Sequence, residues 1–254
     1  MPPGDVAVII PARNEAELIA DTVTAASTLA GADIVVVVDD GSADETAVLA
    51  AGAGARVVRH ARSRGKAGAM ETGAEAVRLI ESGADAAATD SPTPRHLLFL
   101  DADLSGSAAD AGPLVDPVRD GTADMTIAAF TSRVRKGGFG VVVAASGAGT
   151  RRAIGWSPAQ PLNGMRCLTR AAFTAALPLA PGWGAETGMT IDLARKGMRI
   201  IEVEVPLSHR ATGNDWRSQL HRLHQLVDVT GALATREPAA QRLRASLRPQ
   251  RPAS

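Results

Sequence analysis

The sequence predicts an α/β protein with a mostly parallel central sheet and helices on both faces of that sheet. Through the first 130 residues, short apolar runs rich in β-branched residues alternate with segments of helical periodicity. Strands that are buried on both faces read as continuous apolar runs, and such alternation is typical of parallel sheets. The 254 residues are enough for one domain of this class with a substantial core.

The first half of the chain predicts five strands joined by four helices. The apolar runs place strands at 5–10, 33–42, 55–60, 96–103 and 123–130. The periodic segments between them place helices at 15–31, 42–54, 65–83 and 107–121. Ser42 and Glu45 have the spacing of a capping box, which predicts that Ser42 begins the second helix.

The second half of the chain is less regular. The basic, glycine-rich segment 131–140 predicts a mobile loop. The elements expected after it are a helix at 141–154, a strand-like segment at 161–170, a helix at 170–177, a loop leading into a helix at 181–197, a strand at 198–207 and a helix at 215–233. The segment 237–254 is rich in Pro, Arg and Ala, which predicts a disordered tail.

The composition excludes several classes of function. The 27 basic and 27 acidic residues balance, so bulk charge does not favour a nucleic-acid partner. The single cysteine, Cys167, excludes an internal disulfide and fits a reducing, cytoplasmic compartment. No apolar run reaches the about 18 residues of a membrane span, and the N-terminal segment lacks the charged leader of a signal peptide. We therefore expect a cytoplasmic protein without an integral membrane segment.

Polar clusters follow four successive predicted strands at the points where those strands end. They are PARNE at 11–15, DDGS at 39–42, RSRGKAG at 62–68 and DAD at 101–103. The carboxyl ends of parallel strands meet at one edge of an open sheet, and ligands bind beyond that edge. Each cluster alone is compatible with a turn, whereas four clusters at one edge predict a binding site.

Asp101 and Asp103 are the candidate metal ligands. Residues i and i+2 of an extended segment point to the same side, so both carboxylates can face one point. Mg²⁺ and Mn²⁺ prefer carboxylate oxygens and leave positions open for phosphate oxygens. The competing interpretation is a solvated strand end that caps the next helix, but the neighbouring clusters favour a divalent cation.

Lys66, Asp39, Asp40 and Glu15 are candidates for contact with a phosphorylated ligand. Lys66 follows a glycine at a helix start, where a cation is mildly unfavourable unless it neutralises phosphate charge. Asp39 and Asp40 can accept hydrogen bonds from a base or a ribose, or alternatively form an Asx turn with Gly41. Glu15 can accept similar hydrogen bonds, or serve only as the acidic first-turn residue of its helix.

The motifs VIIPARNE, VVDDGS, RGKAGA and LDADL, in this order and spacing, resemble the family-two glycosyltransferases of the GT-A fold. The stretch AQPLNGMRCLTRAAF…LPLAPGWGAETGMTIDLARKG resembles the matching segment of glucosyl-3-phosphoglycerate synthases, and LSHR resembles their late metal-binding histidine. The resemblance implies one Rossmann-like nucleotide-diphospho-sugar transferase domain at 1–236. Its nucleotide-sugar-binding half would be 5–130 and its acceptor-side half 131–236.

The resemblance also implies an activity. A sugar would move from a nucleotide-diphosphate sugar to a small acceptor molecule. UDP-glucose is the expected donor, and a phosphorylated molecule is one candidate acceptor. The anomeric configuration would be retained, Mg²⁺ or Mn²⁺ would be the cofactor, and a homodimer is one candidate assembly.

Roles for individual residues follow from the same resemblance. The expected nucleotide-sugar contacts are Pro11, Ala12, Arg13, Glu15, Asp39, Asp40, Lys66, Asp101 and Ala102. The expected metal ligands are Asp101, Asp103 and His209. The expected acceptor or sugar contacts are Leu162, Asn163, Gly164, Trp183 and Glu186. The expected catalytic residues are Glu186, Lys66 and Asp103.

For three site residues in the second half of the chain, the sequence pattern alone allows two roles each. His209 is a lone histidine after a strand, so a structural role is the alternative to metal binding. Glu186 lies between Gly184 and Gly188, and the alternative is a helix-N-terminal acid favoured by the helix dipole. Trp183 either stacks on a sugar or fills the core.

The acceptor and the exact reaction also stay open. The stretch GGFGV at 137–141 departs from the synthase pattern, which has an arginine and a threonine there to grip the acceptor phosphate. A polyprenyl phosphate is the alternative acceptor, since the helix at 215–233 and the Arg-rich tail could touch anionic lipid at the inner membrane face.

Two other classes of protein are further alternatives. A sugar nucleotidyltransferase would need a glycine-rich loop after the first strand, but the glycine-rich stretch at 49–56 follows a helix. A non-catalytic nucleotide-sugar-binding protein would not need the complete set of metal and phosphate residues.

Overall fold

A seven-stranded mixed sheet forms the centre of the computed structural model, in which residues 4–84, 94–130, 140–207 and 227–236 are described. The strands are β1 (Val6–Ala12), β2 (Ala32–Asp39), β3 (Arg56–Arg59), β4 (His96–Phe99), β5 (Met125–Phe130), β6 (Arg166–Leu168) and β7 (Ile200–Val205). Their order across the sheet is β3-β2-β1-β4-β6-β5-β7.

Helices cover both faces of this sheet. They include α1 (Ile19–Ala26), α2 (Thr46–Gly52), α3 (Gly65–Ala84), α4 (Gly112–Arg119), α5 (Gly140–Ile154), α6 (Arg170–Ala176) and α7 (Gly184–Arg195). A 3-10 helix, Ser105–Ala111, leads into α4, and residues 227–234 are also helical. None of the described helices combines the length and the apolar character needed to cross a membrane.

The first four strands are parallel, as the sequence predicts. β1 pairs with β2 on one side and β4 on the other, and β2 pairs with β3. The register places Ala12 beside Asp39 and Asp39 beside Arg59. The carboxyl ends of these strands therefore meet at one edge of the sheet, and the predicted α/β class is confirmed.

β6 breaks the parallel pattern, because it runs antiparallel to both of its neighbours, β4 and β5. The parallel pattern resumes at β7, which pairs with β5. β6 begins beside the end of β4, with Arg166 opposite Phe99. The turn that precedes β6, at 163–165, therefore lies at the same edge as the DAD segment 101–103.

The core lies on both faces of the sheet. Ile10 and Leu114 are fully buried on one face, and Ile9 and Phe173 are buried on the other. Gly73 lets α3 approach the second face closely, since a Cβ at this position would lie 2.3 Å from Ile9 Cγ2. The close approach fixes α3, whose first turn carries Lys66, against the sheet.

Two local expectations are wrong. The helix expected at 15–31 is confined to Ile19–Ala26, after turns that begin at the polar cluster. Ser42 does not begin α2, because its Oγ instead accepts a hydrogen bond of 2.9 Å from the backbone N of Asn14.

Several expectations fall outside the described residues. They concern His209, the basic loop at 131–140, of which only position 140 is described, the first part of the helix at 215–233, and the tail at 237–254.

Candidate active site

The turns after β1 and β2 are tied together in both directions. The backbone N of Asn14 donates to Ser42 Oγ at 2.9 Å, and the backbone N of Ala43 donates to Asn14 Oδ1 at 2.8 Å. Asn14 has a φ of 57°, a left-handed conformation that asparagine tolerates better than most residues. Arg13 and Glu15, two of the predicted nucleotide contacts, flank Asn14 and therefore lie beside the turn at 39–42.

Asp39 is fully buried at the end of β2. Its Oδ1 accepts a hydrogen bond of 2.8 Å from the backbone N of Ser42, which is the Asx-type turn expected as one alternative. Its Oδ2 lies 3.1 Å from Arg59 Nε, but no aligned hydrogen bond reaches this oxygen from the described residues. Asp39 therefore stabilises the turn, and its Oδ2 is buried beside the Arg59 guanidinium.

Asp40 directs its carboxylate into the protein. Its two oxygens accept four hydrogen bonds of 2.6–2.9 Å, from His60 Nδ1, Ser63 Oγ, Arg64 N and Gly65 N. Burial by itself raises the pKa of Asp40, but these donors outweigh that effect and lower the pKa below its usual value. The geometry places Asp40 beneath the loop that leads to Lys66, with its acceptor positions already used by the chain.

Lys66 lies between two carboxylates that are far apart in sequence. Its Nζ is 2.8 Å from Asp101 Oδ1 and 3.2 Å from Glu186 Oε1, and it lies 5.9 Å from the centroid of the Trp183 ring. Burial by itself lowers the pKa of Lys66, but the two carboxylates outweigh burial and raise the pKa above its usual value. The lysine is therefore a fixed positive charge at neutral pH.

The turn before β6 completes the surroundings of this lysine. A Cβ on Gly164 would lie 2.0 Å from Lys66 Nζ and 3.0 Å from Asp101 Oδ1, so the missing side chain makes room for the ion pair. Asn163 holds the turn, since its Nδ2 donates to Ala128 O at 2.7 Å and its Oδ1 accepts from Met165 N at 2.9 Å. Leu162 precedes them and is partly exposed.

Glu186 is fully buried in the first turn of α7. Neither of its carboxylate oxygens has an aligned hydrogen bond from the described part of the chain, although Oε1 is close to Lys66 Nζ. A buried carboxylate is costly unless a positive charge accompanies it. Lys66 and the positive end of the helix dipole supply that charge, and such a buried pair is typical of a functional site.

Thr22 supports the DAD segment, although no motif marks it in the sequence. Its side chain is fully buried, its Oγ1 donates to Ala102 O at 2.9 Å, and it accepts from the backbone N of Ser105 at 2.8 Å. Ser105 has a φ of 48°. The turn that follows β4 is therefore held in shape by helix α1.

Asp101 and Asp103 fit a divalent cation by their chemistry. Both are partly exposed carboxylates at the edge of the sheet, and the neighbouring Lys66 shows that this position attracts positive charge. Within the described ranges there is no group of three or more His, Cys, Asp or Glu side chains that could hold a metal. The third expected ligand, His209, lies outside those ranges.

The helical residues 227–236 pack against the start of α7. Asp228 Oδ2 accepts from the backbone N of Trp183 at 3.1 Å, and Arg236 forms a bidentate pair with Asp192 on α7. Glycines make room for this contact, since a Cβ on Gly184 would lie 2.8 Å from Ala232 Cβ. We name residues 227–236 the brace, because they hold the segment that carries Trp183 and Glu186.

Comparison with protein families and curated proteins agrees with this geometry. The family described as "Glycosyl transferase family 2" matches residues 7–162. Glycosyltransferase AglJ of Haloferax volcanii is 30% identical over 84% of this chain and 66% of its own length. Glucosyl-3-phosphoglycerate synthase of Mycolicibacterium paratuberculosis is 28% identical over 89% of this chain and 70% of its own length. The chain thus spans slightly less than two thirds of the Haloferax protein.

Solved structures resemble this fold over most of the chain. Glucosyl-3-phosphoglycerate synthase of Mycobacterium tuberculosis in complex with phosphoglyceric acid has a TM-score of 0.70 and 26% identity, over 92% of this chain and 80% of the other. The same synthase in complex with Mn²⁺, uridine diphosphate and phosphoglyceric acid also has a TM-score of 0.70, with 25% identity over 92% of this chain and 78% of the other.

The fold and the sheet-edge site, together with these matches, define a glycosyltransferase with a GT-A fold. The match covers more than half of the sequence, and the chain belongs to glycosyl transferase family 2. The predicted family, fold and enzyme class are thereby confirmed.

Proposed function

We propose that this chain transfers glucose from UDP-glucose to a small phosphorylated acceptor, with Mn²⁺ or Mg²⁺ bound and with retention of the anomeric configuration. The observation that carries the proposal is the position of Lys66 Nζ, within 3.2 Å of both Asp101 and the buried Glu186. The M. tuberculosis synthase, whose structures contain UDP, Mn²⁺ or Mg²⁺, and phosphoglyceric acid, supports the donor, the cofactor and the acceptor class.

Each charged residue has a separate role in the proposed reaction. Asp101 and Asp103 would hold the divalent cation, which when bound neutralises charge on the departing diphosphate. Lys66 adds a second positive charge that the fold holds in place before the substrate arrives. Glu186 supplies carboxylate oxygens with unused hydrogen-bonding capacity beside Lys66, suited to orient sugar hydroxyls or to assist transfer.

The remaining assignments are part of the same proposal. The base and ribose would be contacted by Pro11, Ala12, Arg13, Glu15 and Asp39. Asp40 would act by holding the loop before Lys66. Leu162, Asn163, Gly164 and Trp183 would border the sugar and acceptor. The proposed location is the cytoplasm, which agrees with the single buried thiol, and the proposed homodimer is testable by light scattering.

A transfer assay with a panel of UDP-, GDP- and ADP-sugars tests the proposal. We expect Mn²⁺-dependent glucose transfer from UDP-glucose to 3-phosphoglycerate or a related small phosphate, with product stereochemistry read by NMR. Asp103→Ala is the matched control and should lack this activity while keeping its fold. Full activity of that variant would contradict the role of the carboxylate pair.

The same assay separates the alternatives. Transfer only to a polyprenyl phosphate would favour the lipid-linked acceptor, with the protein at the inner membrane face. Pyrophosphate released from UTP and glucose 1-phosphate would indicate a nucleotidyltransferase instead. Donor binding without turnover on any acceptor would indicate a binding protein.

A further inference from the structure

Arg166 is a fully buried arginine at the centre of the sheet. It is the first residue of β6, where it lies between Phe99 of β4 and Ile127 of β5. No carboxylate of the described residues forms an ion pair with its guanidinium, and its Nε has no hydrogen-bond partner among them. Buried arginines are rare unless they are paired, so this one calls for an explanation.

The guanidinium bridges two backbone segments of the site. Its Nη2 donates to the carbonyl O of Asn163 at 2.5 Å, and its Nη1 donates to the carbonyl O of Glu186 at 3.3 Å. The sulfur atoms of Met125 and Met189 lie 4.0 and 3.8 Å from Nη1. One side chain therefore ties the turn before β6 to the first turn of α7.

An apolar side chain of similar volume would avoid the cost of burying this charge. Burial lowers the pKa of Arg166, and the nearby negative charges of Glu186 and Asp101 oppose that effect. The positive charge of Arg166 thus stabilises the same two carboxylates that contact Lys66. A lysine at 166 would keep the charge but would lose the planar fork that reaches two carbonyl groups at once.

We propose that Arg166 is a positioning residue for the sugar transfer described above. It fixes the turn at Asn163 and Gly164 relative to Glu186, so that Lys66 is held between Asp101 and Glu186. Its effect on catalysis rests on the proposed function, whereas its effect on the geometry of the two segments does not.

Hydrogen exchange of Arg166→Met tests the geometric part. Arg170→Met is the matched control, because Arg170 is also mostly buried but bonds to Glu81, at the other end of α3 from Lys66. We expect at least tenfold faster amide exchange at 163–165 and 184–187 in Arg166→Met, and no such change in Arg170→Met. Unchanged exchange at both segments would overturn the proposal. Arg166→Lys serves in place of the Met variant if the latter does not fold.

Steady-state kinetics and calorimetry test the catalytic part. We expect Arg166→Met to lower kcat at least tenfold for transfer, or for hydrolysis of UDP-glucose, a larger change than that in the Kd for UDP with Mn²⁺, because a loosened Lys66 can still reach phosphate. Arg166→Lys should recover only part of kcat. A kcat equal to that of Arg170→Met would overturn the positioning role while leaving the proposed function intact. Absence of UDP binding in the unmodified chain would instead count against the proposed function, and the exchange experiment would still decide the geometry.

Discussion

Gly164→Ala is the sharpest perturbation that the site offers, because the new methyl group would point at a single ion pair. The added Cβ would lie 2.0 Å from Lys66 Nζ, against the about 3.5 Å of an ordinary contact. The ammonium group must therefore move by about 1.5 Å. It can do so because it is the end of a flexible side chain, so we expect the fold to survive.

The size of the effect follows from Coulomb's law. The Lys66 to Asp101 separation of 2.8 Å would grow to as much as about 4.3 Å. With an effective dielectric constant of about 20, the attraction weakens by about 2 kcal/mol. The same displacement from a phosphate oxygen at a similar distance weakens that attraction equally, which corresponds to about thirtyfold in affinity.

Isothermal titration of UDP in the presence of Mn²⁺ measures this effect. We expect the Kd of Gly164→Ala to rise by about ten- to thirtyfold, with a change in Tm of only a few degrees. Gly83→Ala is the control, since a Cβ there, on the same helix as Lys66, meets nothing within 4 Å. Equal affinities in the unmodified chain and Gly164→Ala would refute the reasoning that Lys66 reaches phosphate through the space left by Gly164.

Three further predictions address the metal, the Lys66 loop and the brace. UDP with Mn²⁺ at about 100 times its Kd should stabilise the chain by about 2.7 kcal/mol, which raises Tm by about 5–10 °C. Asp103→Ala should lose this shift in Tm, and a variant that keeps the shift would contradict metal binding by Asp103. Asp40→Asn should lower the free energy of unfolding at pH 7, because the lowered pKa of Asp40 means that its ionised form stabilises the fold. Urea titrations measure the difference in unfolding free energy between the unmodified chain and the variant. This difference should be constant down to about pH 5 and shrink as the pH falls below about 4. Arg236→Met should lower stability by about 1–3 kcal/mol through loss of the bidentate contact with Asp192, which thermal unfolding measures, and an unchanged Tm would show that this contact does not hold the brace.

The half of the fold that precedes residue 130 was predictable because its connections are local. Each apolar run is followed by a periodic segment, and the right-handed crossover rule leaves few arrangements for such a chain. The antiparallel placement of β6 was not predictable from its sequence, because a three-residue strand has too few positions to show a period. Its partners, β4 and β5, come from distant parts of the chain.

The polar clusters predicted that these side chains meet at one edge of the sheet, as they do, but not the partners of each side chain. Lys66, Asp101 and Glu186 were singled out separately, and only the fold brings them together. The expectation for Asp40 as a ligand contact stays a prediction, although its oxygens are engaged by four donors of its own chain. Nothing in the sequence marks Arg166, because an arginine in a short strand-like segment is ordinarily exposed.

The position of the brace affects when, during synthesis, the protein would gain its proposed activity. The brace supports Trp183 from more than 40 residues further along the chain, through the hydrogen bond from Trp183 to Asp228. A ribosome adds residues from the N-terminus, so β1 to β4 can be made while the support for Trp183 and Glu186 is still missing. Under the proposed function, a nascent chain that ends before 227 would bind the nucleotide but turn over donor slowly. The proposed sugar transfer would begin only after residues 227–236 have been made.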